Sequence, residues 1–135
     1  MSTLITTYGR LGELEALDAV VSDAVLLDAT EVTAPVLGHA LSRGSMELLF
    51  AGRFAASEAL LVQLGELREQ VALPAVEARW LQAKAMRAHY DGDLAAHIDC
   101  ATRALAILDA VDDRRTAAAI RANMCDALRM VGKLD

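Results

Sequence analysis

Apolar residues recur every three or four positions along this chain, the spacing that places them on one face of an α-helix. The clearest set is Leu94, Ile98, Ala101, Leu105 and Leu108. Phe54, Leu61 and Leu64 mark the same face in the helix that ends near residue 71. The spacing predicts an all-α fold with seven helices, at about 2–10, 13–28, 34–50, 53–71, 74–90, 93–110 and 113–131.

Glycine recurs with a fixed period of 40 residues. The members are Gly12, Gly52, Gly92 and Gly132, and each is followed two residues later by an apolar side chain. Two helices around a Gly turn in each period predict stacked helical hairpins, with the glycine in the left-handed conformation where the first helix ends. The repeats are 1–30, 31–71, 72–111 and 112–135, the last incomplete. Such an array works by presenting a surface.

The predicted helix starts carry their own signals. Pro35 and Pro74 fit the first helical position, where proline loses no intrahelical hydrogen bond. Thr33 is a candidate N-cap for the helix that Pro35 opens. The position in the next repeat that corresponds to Pro35 and Pro74 is Asp113, whose negative charge is favourable at the positive end of a helix dipole.

Composition and charge narrow the class of partner. Hydrophobic residues make up 55% of the chain and aromatic residues 4%, which favours one domain of closely packed helices. The net charge of -6 and the lack of a Lys/Arg run argue against direct nucleic-acid binding. No apolar run reaches the roughly 18 residues of a membrane span, and the first 30 residues lack a signal peptide, so we expect a cytoplasmic protein. Cys100 and Cys125 are expected to be reduced packing residues.

Residues capable of chemistry form no recognisable catalytic pattern. His89, Asp91, Asp93, His97 and Asp99 surround the third turn, but their spacing differs from that of metal-binding motifs, and a solvated turn with a partly buried His97 is the expectation. No nucleophile motif or phosphate-binding glycine loop is present. We therefore predict no enzyme activity, no metal and no cofactor. The single tryptophan, Trp80, is expected to be a packing residue.

The two ends of the chain differ from complete repeats. The sequence opens inside a short first helix and stops at Asp135, where the second helix of the fourth unit would begin. We expect a segment of a longer array, or one completed by another chain. The apolar residues left for a partner are Ile120, Met124, Ala127, Leu128 and Val131. They predict that the isolated segment forms a homodimer, and self-association without a separate ligand is the alternative function.

The stretch 113–135 resembles the first helix and turn of a tetratricopeptide repeat, of the roughly 40-residue variety found in large bacterial signalling proteins and regulators. Asn123-Met124-Cys125 matches the Asn-Leu-Gly of that family, and Gly132-Lys133-Leu134 matches its turn. Ala104-Leu105 matches the Ala-Leu of its second helix. At the position early in that helix where the family has a small residue, this chain has Leu17, Ser57 and His97. We expect a locally wider helix crossing or some irregularity at Leu17 and His97. Where the family has a glycine in the first helix, this chain has Ser45, Ala85 and Cys125.

The resemblance implies a right-handed solenoid of antiparallel hairpins, with a concave groove that binds a peptide, a protein or another domain of its parent chain. The implied groove residues are His39, Arg43, Met46, Phe50, Arg79, Gln82, Ala83, Met86, His89, Tyr90, Asn123, Asp126, Arg129 and Met130. Arg43 and Arg79 would pair with a ligand carboxylate, and Asn123 would bond the ligand backbone. The alternative is that these are ordinary exposed or interhelix residues.

Overall fold

Five helices form the part of the chain that the computed structural model describes, which comprises residues 32–130 and 132 together with Glu15, Ala16, Ala19 and Thr30. They are α1 (Ala34–Phe50), α2 (Phe54–Val71), α3 (Pro74–Tyr90), α4 (Leu94–Ala110) and α5 (Arg114–Met130), and these described residues contain no strand. The all-α class is confirmed, and the bounds of these helices match the predicted ones to within a residue. The helices predicted at 2–10 and 13–28 and the turn at Gly12 lie outside the described residues, Glu15, Ala16 and Ala19 excepted.

The turns within the hairpins have the predicted backbone geometry. Gly52, Gly92 and Gly132 have φ of 73°, 76° and 68°. After each of the first two, the next backbone N–H reaches back to the end of the preceding helix: Arg53 N lies 2.8 Å from Leu48 O, and Asp93 N lies 2.9 Å from Ala88 O. These bonds satisfy carbonyls that the helix end would otherwise leave unpaired.

The turns between hairpins use left-handed residues that are not glycine. Ala72 has φ of 47° and Asp112 has φ of 56°, and the two are 40 residues apart. Sequence reasoning missed them because alanine rarely adopts this conformation and aspartate does so only occasionally. The carboxylate of Asp112 accepts a hydrogen bond from Arg114 Nε at 2.7 Å.

The helix starts follow the prediction at the prolines and depart from it at Thr33. Pro35 and Pro74 occupy the first turns of α1 and α3. Thr33 occupies the N-cap position of α1 as predicted, but its side chain makes no capping bond and instead accepts a hydrogen bond from Thr30 N at 2.9 Å. Asp93 and Asp113 cap α4 and α5, each accepting a backbone N–H three residues on.

Two hydrophobic clusters share α3. The first is built from α1, α2 and one side of α3, and the second from the other side of α3 with α4 and α5. Trp80 packs against both clusters, as expected of a packing residue. Arg68 Cζ lies 4.1 Å and Lys84 Nζ lies 4.6 Å from the centroid of the Trp80 ring, so two cations contact the indole. The contacts run α1 on α2 and α3, α2 on α3, α3 on α4, and α4 on α5.

A buried polar pair joins the helices of the first hairpin. Ser57 Oγ donates to Ser45 O at 2.8 Å, and Ser45 Oγ donates to Ser57 O at 3.1 Å. Forty residues later the same positions hold Ala85 and His97, and His97 Nδ1 lies 2.8 Å from Ala85 O. The larger His97 is thus accommodated inside the second hairpin, where it bonds the Ala85 carbonyl. That carbonyl corresponds to the Ser45 carbonyl, which accepts from Ser57 in the first hairpin.

We predict that Ser45→Ala lowers the free energy of unfolding by about 1 kcal/mol, because one buried hydrogen bond is lost while Ser57 keeps its carbonyl acceptor. Urea unfolding followed by circular dichroism measures the change. Ser42→Ala is the matched control: Ser42 Oγ is buried in the same helix and has no hydrogen-bond partner within the described residues, so its removal should be neutral or stabilising. Equal losses for the two variants would contradict the prediction.

In the described part of the chain, none of the helices combines the length and the apolar character needed to cross a membrane.

Candidate functional site

The predicted groove residues on α1, α3 and α5 divide by exposure. Those exposed are Phe50, Tyr90, Asn123, Asp126, Arg129 and Met130, and those partly buried are His39, Arg43, Arg79, Gln82, Met86 and His89. Met46 and Ala83 are buried, so their assignment to the groove surface is wrong. Ala83 belongs to the first hydrophobic cluster, and Met46 lies in a helix that is buried around most of its circumference.

The two arginines predicted for the groove form bonds within the chain. Arg43 Nη2 lies 2.8 Å from Glu47 Oε1, one turn along α1. Arg79 donates to Gln82 Oε1 and to Thr116 Oγ1, both at 3.2 Å, and lies 3.5 Å from Asp113. Arg79 therefore joins α3 to the start of α5. The predicted pairing of these arginines with a ligand carboxylate would have to compete with bonds already present.

A cluster of charges surrounds His39 on this face. Burial lowers the pKa of His39 below 6.5, and the positive charges of Arg79 and Arg43 lower it further, against the opposing charge of Asp113. Burial also lowers the pKa of Arg79. Hydrogen bonds from the side chain and backbone of Thr116 lower the pKa of the Asp113 carboxyl. The cluster thus favours a neutral imidazole beside two guanidiniums.

We predict that the stability of the protein falls as the pH drops below 6.5, in part because of His39. The unfolded chain takes up this proton near pH 6.5, whereas the folded chain does so only at lower pH, so between the two values the unfolded state binds more protons. His39→Gln should remove this part of the pH dependence. Urea unfolding at several pH values between 5 and about 7.5 measures the difference between the two proteins. Parallel pH profiles would contradict the assignment.

A small pocket opens between α3, α4 and α5. Its lining residues are Gln82, Ala85, Met86, His97, Ala101, Ile120 and Asn123, and its volume is about 10 Å³. Three of the predicted groove residues, Gln82, Met86 and Asn123, therefore meet at one point. Asn123 Nδ2 donates to Met86 Sδ at 3.6 Å, a contact that links α5 to α3.

His97 forms one wall of this pocket. It is 2% exposed, which corrects the expectation of a partly buried side chain. Its Nδ1 faces the Ala85 carbonyl, which can only accept, so in the neutral imidazole Nδ1 carries the proton and Nε2 is an acceptor. Nε2 is buried and has no hydrogen-bond partner within the described residues. Sequence reasoning missed this group, although the 40-residue offset from Ser57 marks the position.

The remaining residues of the third turn have structural partners. The His89 and His97 ring centroids are 5.3 Å apart. Asp91 pairs with Arg87, Asp93 caps α4, and Asp99 lies 3.6 Å from Arg103. In the part of the chain that the structure describes, no three His, Cys, Asp or Glu side chains are placed to hold a metal ion together.

Three aromatic residues form a surface patch beside the Gly52 turn. Phe50, Phe54 and Tyr90 are each about half exposed. The Tyr90 ring centroid lies 6.0 Å from that of Phe50 and 6.5 Å from that of Phe54. Arg87 lies 5.6 Å from the Phe54 centroid. Phe54, which the apolar spacing groups with Leu61 and Leu64, is thus 47% exposed, because this first residue of α2 lies beside Tyr90 of α3 at the surface.

Some of the residues predicted for self-association are buried within the chain. Ile120 and Ala127 are buried within the chain, Ile120 in the second hydrophobic cluster, so neither is available at the surface as predicted. Met124 packs against that cluster and, like Leu128, remains partly accessible. Val131 lies outside the described residues.

The chain matches no protein-family model, no curated protein and no solved structure.

Proposed function

We propose that this chain is a non-catalytic binding module of the tetratricopeptide type, a right-handed solenoid of antiparallel hairpins whose α1, α3 and α5 groove holds an extended peptide or protein segment. Repeated structure supports the proposal: α1, α3 and α5 begin 40 residues apart, as do α2 and α4. The glycine turns and the left-handed residues between hairpins recur with the same offset.

The observation that carries the proposal is the meeting of accessible side chains from successive first helices on one face. Phe50 of α1 meets Tyr90 of α3 at 6.0 Å, and Met86 of α3 meets Asn123 of α5. Aromatic rings and methionine give adaptable apolar contacts. Asn123 points its nitrogen at sulfur, which leaves its amide oxygen for a backbone N–H of a ligand.

The resemblance in sequence suggests the setting of this module. Its partner is a segment of another cytoplasmic protein or another domain of its own parent chain, a multidomain bacterial signalling or transcription regulator. The partly accessible Met124 and Leu128 on α5 offer the alternative, contact with a second copy, which sedimentation of the protein without peptide would reveal.

The test is affinity selection from a displayed library of random peptides, followed by calorimetry on the consensus peptide. Tyr90→Ala should weaken binding about tenfold or more, since exposed aromatic anchors dominate such interfaces. Val62→Ala is the control: Val62 is 53% exposed on α2 and belongs neither to the groove nor to the aromatic patch, so its affinity should be unchanged. Failure to enrich any sequence, or equal affinity of the Tyr90 variant, would overturn the proposal.

A further inference from the structure

One side of α5 has no neighbour at the place where α3, forty residues earlier, is covered by α4. The α3 residues that lie with α4 in the second hydrophobic cluster are Ala78, Leu81 and Ala85. The corresponding residues of α5 are Ala118, Arg121 and Cys125, and all three are exposed. No helix in the described part of the chain therefore covers α5 on this side.

We call this side the open face of α5. It consists of six exposed residues that fall within about one third of the helix circumference, at 3.6 residues per turn. They are Arg115, Ala118, Arg121, Ala122, Cys125 and Arg129. Small side chains occupy its middle and allow a second helix to approach closely, as Ala78 and Ala85 of α3 allow for α4. The open face thus has the shape that receives a helix.

The charge of the open face identifies the kind of helix. α5 contains four arginines and one aspartate, whereas the whole chain has 13 Lys and Arg against 19 Asp and Glu. Arg121 is neutralised by Asp109 of α4, whose two carboxylate oxygens each lie 2.7 Å from Arg121 Nη2. Arg115 and Arg129 form no ion pair among the described residues. They are 14 residues apart, about 21 Å along the helix, so both ends of the face carry an uncompensated positive charge.

We propose that the open face of α5 docks an acidic amphipathic helix of a partner protein. The apolar side of that helix packs on the small residues of the face, and carboxylates about four turns apart meet Arg115 and Arg129. A second copy that used its own open face would place arginines against arginines, which disfavours a two-fold contact here. The proposal does not depend on peptide binding in the groove, although Arg129 lies where the two surfaces meet.

The first experiment selects binders from a displayed library of helical peptides of about 18 residues, or five turns. Alanine and leucine are fixed along one side of the peptide, and each flanking position encodes glutamate or lysine at random. We expect glutamate to be enriched near both ends, although the net charge of -6 on the protein would by itself favour lysine. Enrichment of lysine, or no enrichment, would overturn the proposal.

The double variant R115E/R129E tests the location of the site. It reverses the charge at both ends of the open face, at two exposed residues. We expect it to bind the selected acidic peptide about tenfold more weakly, because two ion pairs become repulsions, and to select lysine from the library. K84E/R103E is the matched control, since it changes the net charge equally at exposed residues of α3 and α4, and it should keep the glutamate preference. Equal losses for the two variants would contradict the assignment to α5.

The thiol of Cys125 reports directly on coverage of the open face. Cys125 is exposed and Cys100 is buried, so an aromatic disulfide reagent should modify Cys125 first. The acidic peptide should slow this reaction in proportion to the fraction of protein bound, and Tyr90→Ala should leave the protection unchanged. That independence from Tyr90 separates failure of this site from failure of the groove. Modification at the full rate with peptide bound would overturn the proposal. So would sedimentation of a dimer whose Cys125 is protected without peptide, because a second copy would then be the occupant.

Discussion

Leu64→Ala is expected to lower the free energy of unfolding by about 3 kcal/mol. Leu64 is 0% exposed and belongs to the first hydrophobic cluster. Three helices meet around it: a Cβ built on Gly38 of α1 would lie 3.7 Å from Leu64 Cδ1 and 3.4 Å from Val76 Cγ2 of α3. Because helices close in from separate directions, the cavity left by the truncation cannot collapse by moving one side chain, and the full cost of the void remains.

Urea unfolding measured by far-ultraviolet circular dichroism tests this value. Val62→Ala lies in the same helix and removes two methyl groups from a side chain that is 53% exposed, so it should change stability by less than about 0.5 kcal/mol. A loss below about 1 kcal/mol for Leu64→Ala would show that α1, α2 and α3 do not share a tight core.

The positions of the helices could be predicted from sequence because their causes are local. Apolar spacing, the first-turn prolines and the 40-residue glycine period each act within a few residues, and together they placed α1 and α3 at their observed bounds. The left-handed glycines at 52 and 92 followed from the same pattern. Ala72 and Asp112 could not be found in this way, because alanine rarely and aspartate only occasionally adopts the left-handed conformation.

The sequence predicted which residues share one helix face, but not which of their side chains are exposed. Which side chains of that face remain accessible depends on neighbouring helices, and this is why Met46 and Ala83 proved to be buried. The partners of Arg79 lie up to 37 residues away, on α5. The acceptor on His97 depends on a carbonyl across the hairpin, which apolar spacing does not register. The comparison of residues 45 and 57 with residues 85 and 97 marked the position as unusual but could not show the bond.

Gly92→Val is expected to destabilise the protein by about 1–2 kcal/mol, because a β-branched residue resists the left-handed conformation. Gly92 has φ of 76°, and a Cβ added there meets no atom within 4 Å. The cost therefore comes from the backbone alone, without a steric clash that a neighbour could relieve. Thermal and urea unfolding measure it, and melting like that of the unmodified protein would show that the second hairpin turn tolerates a different backbone path.

Ala72→Gly is the matched substitution, and we expect it to change the free energy of unfolding in the opposite direction. Ala72 already holds a left-handed φ of 47° at the end of α2, so glycine would relieve strain there at the cost of greater freedom in the unfolded chain. Left-handed alanine costs roughly 1–2 kcal/mol and glycine's extra entropy about 0.5–1 kcal/mol, so we expect a net gain of about 0.5 kcal/mol. A loss for Ala72→Gly beside a loss for Gly92→Val would mean that unfolded-state entropy outweighs backbone strain at Ala72. Opposite signs in one unfolding assay would establish that backbone conformation, and not side-chain packing, determines the choice of residue at both kinds of turn.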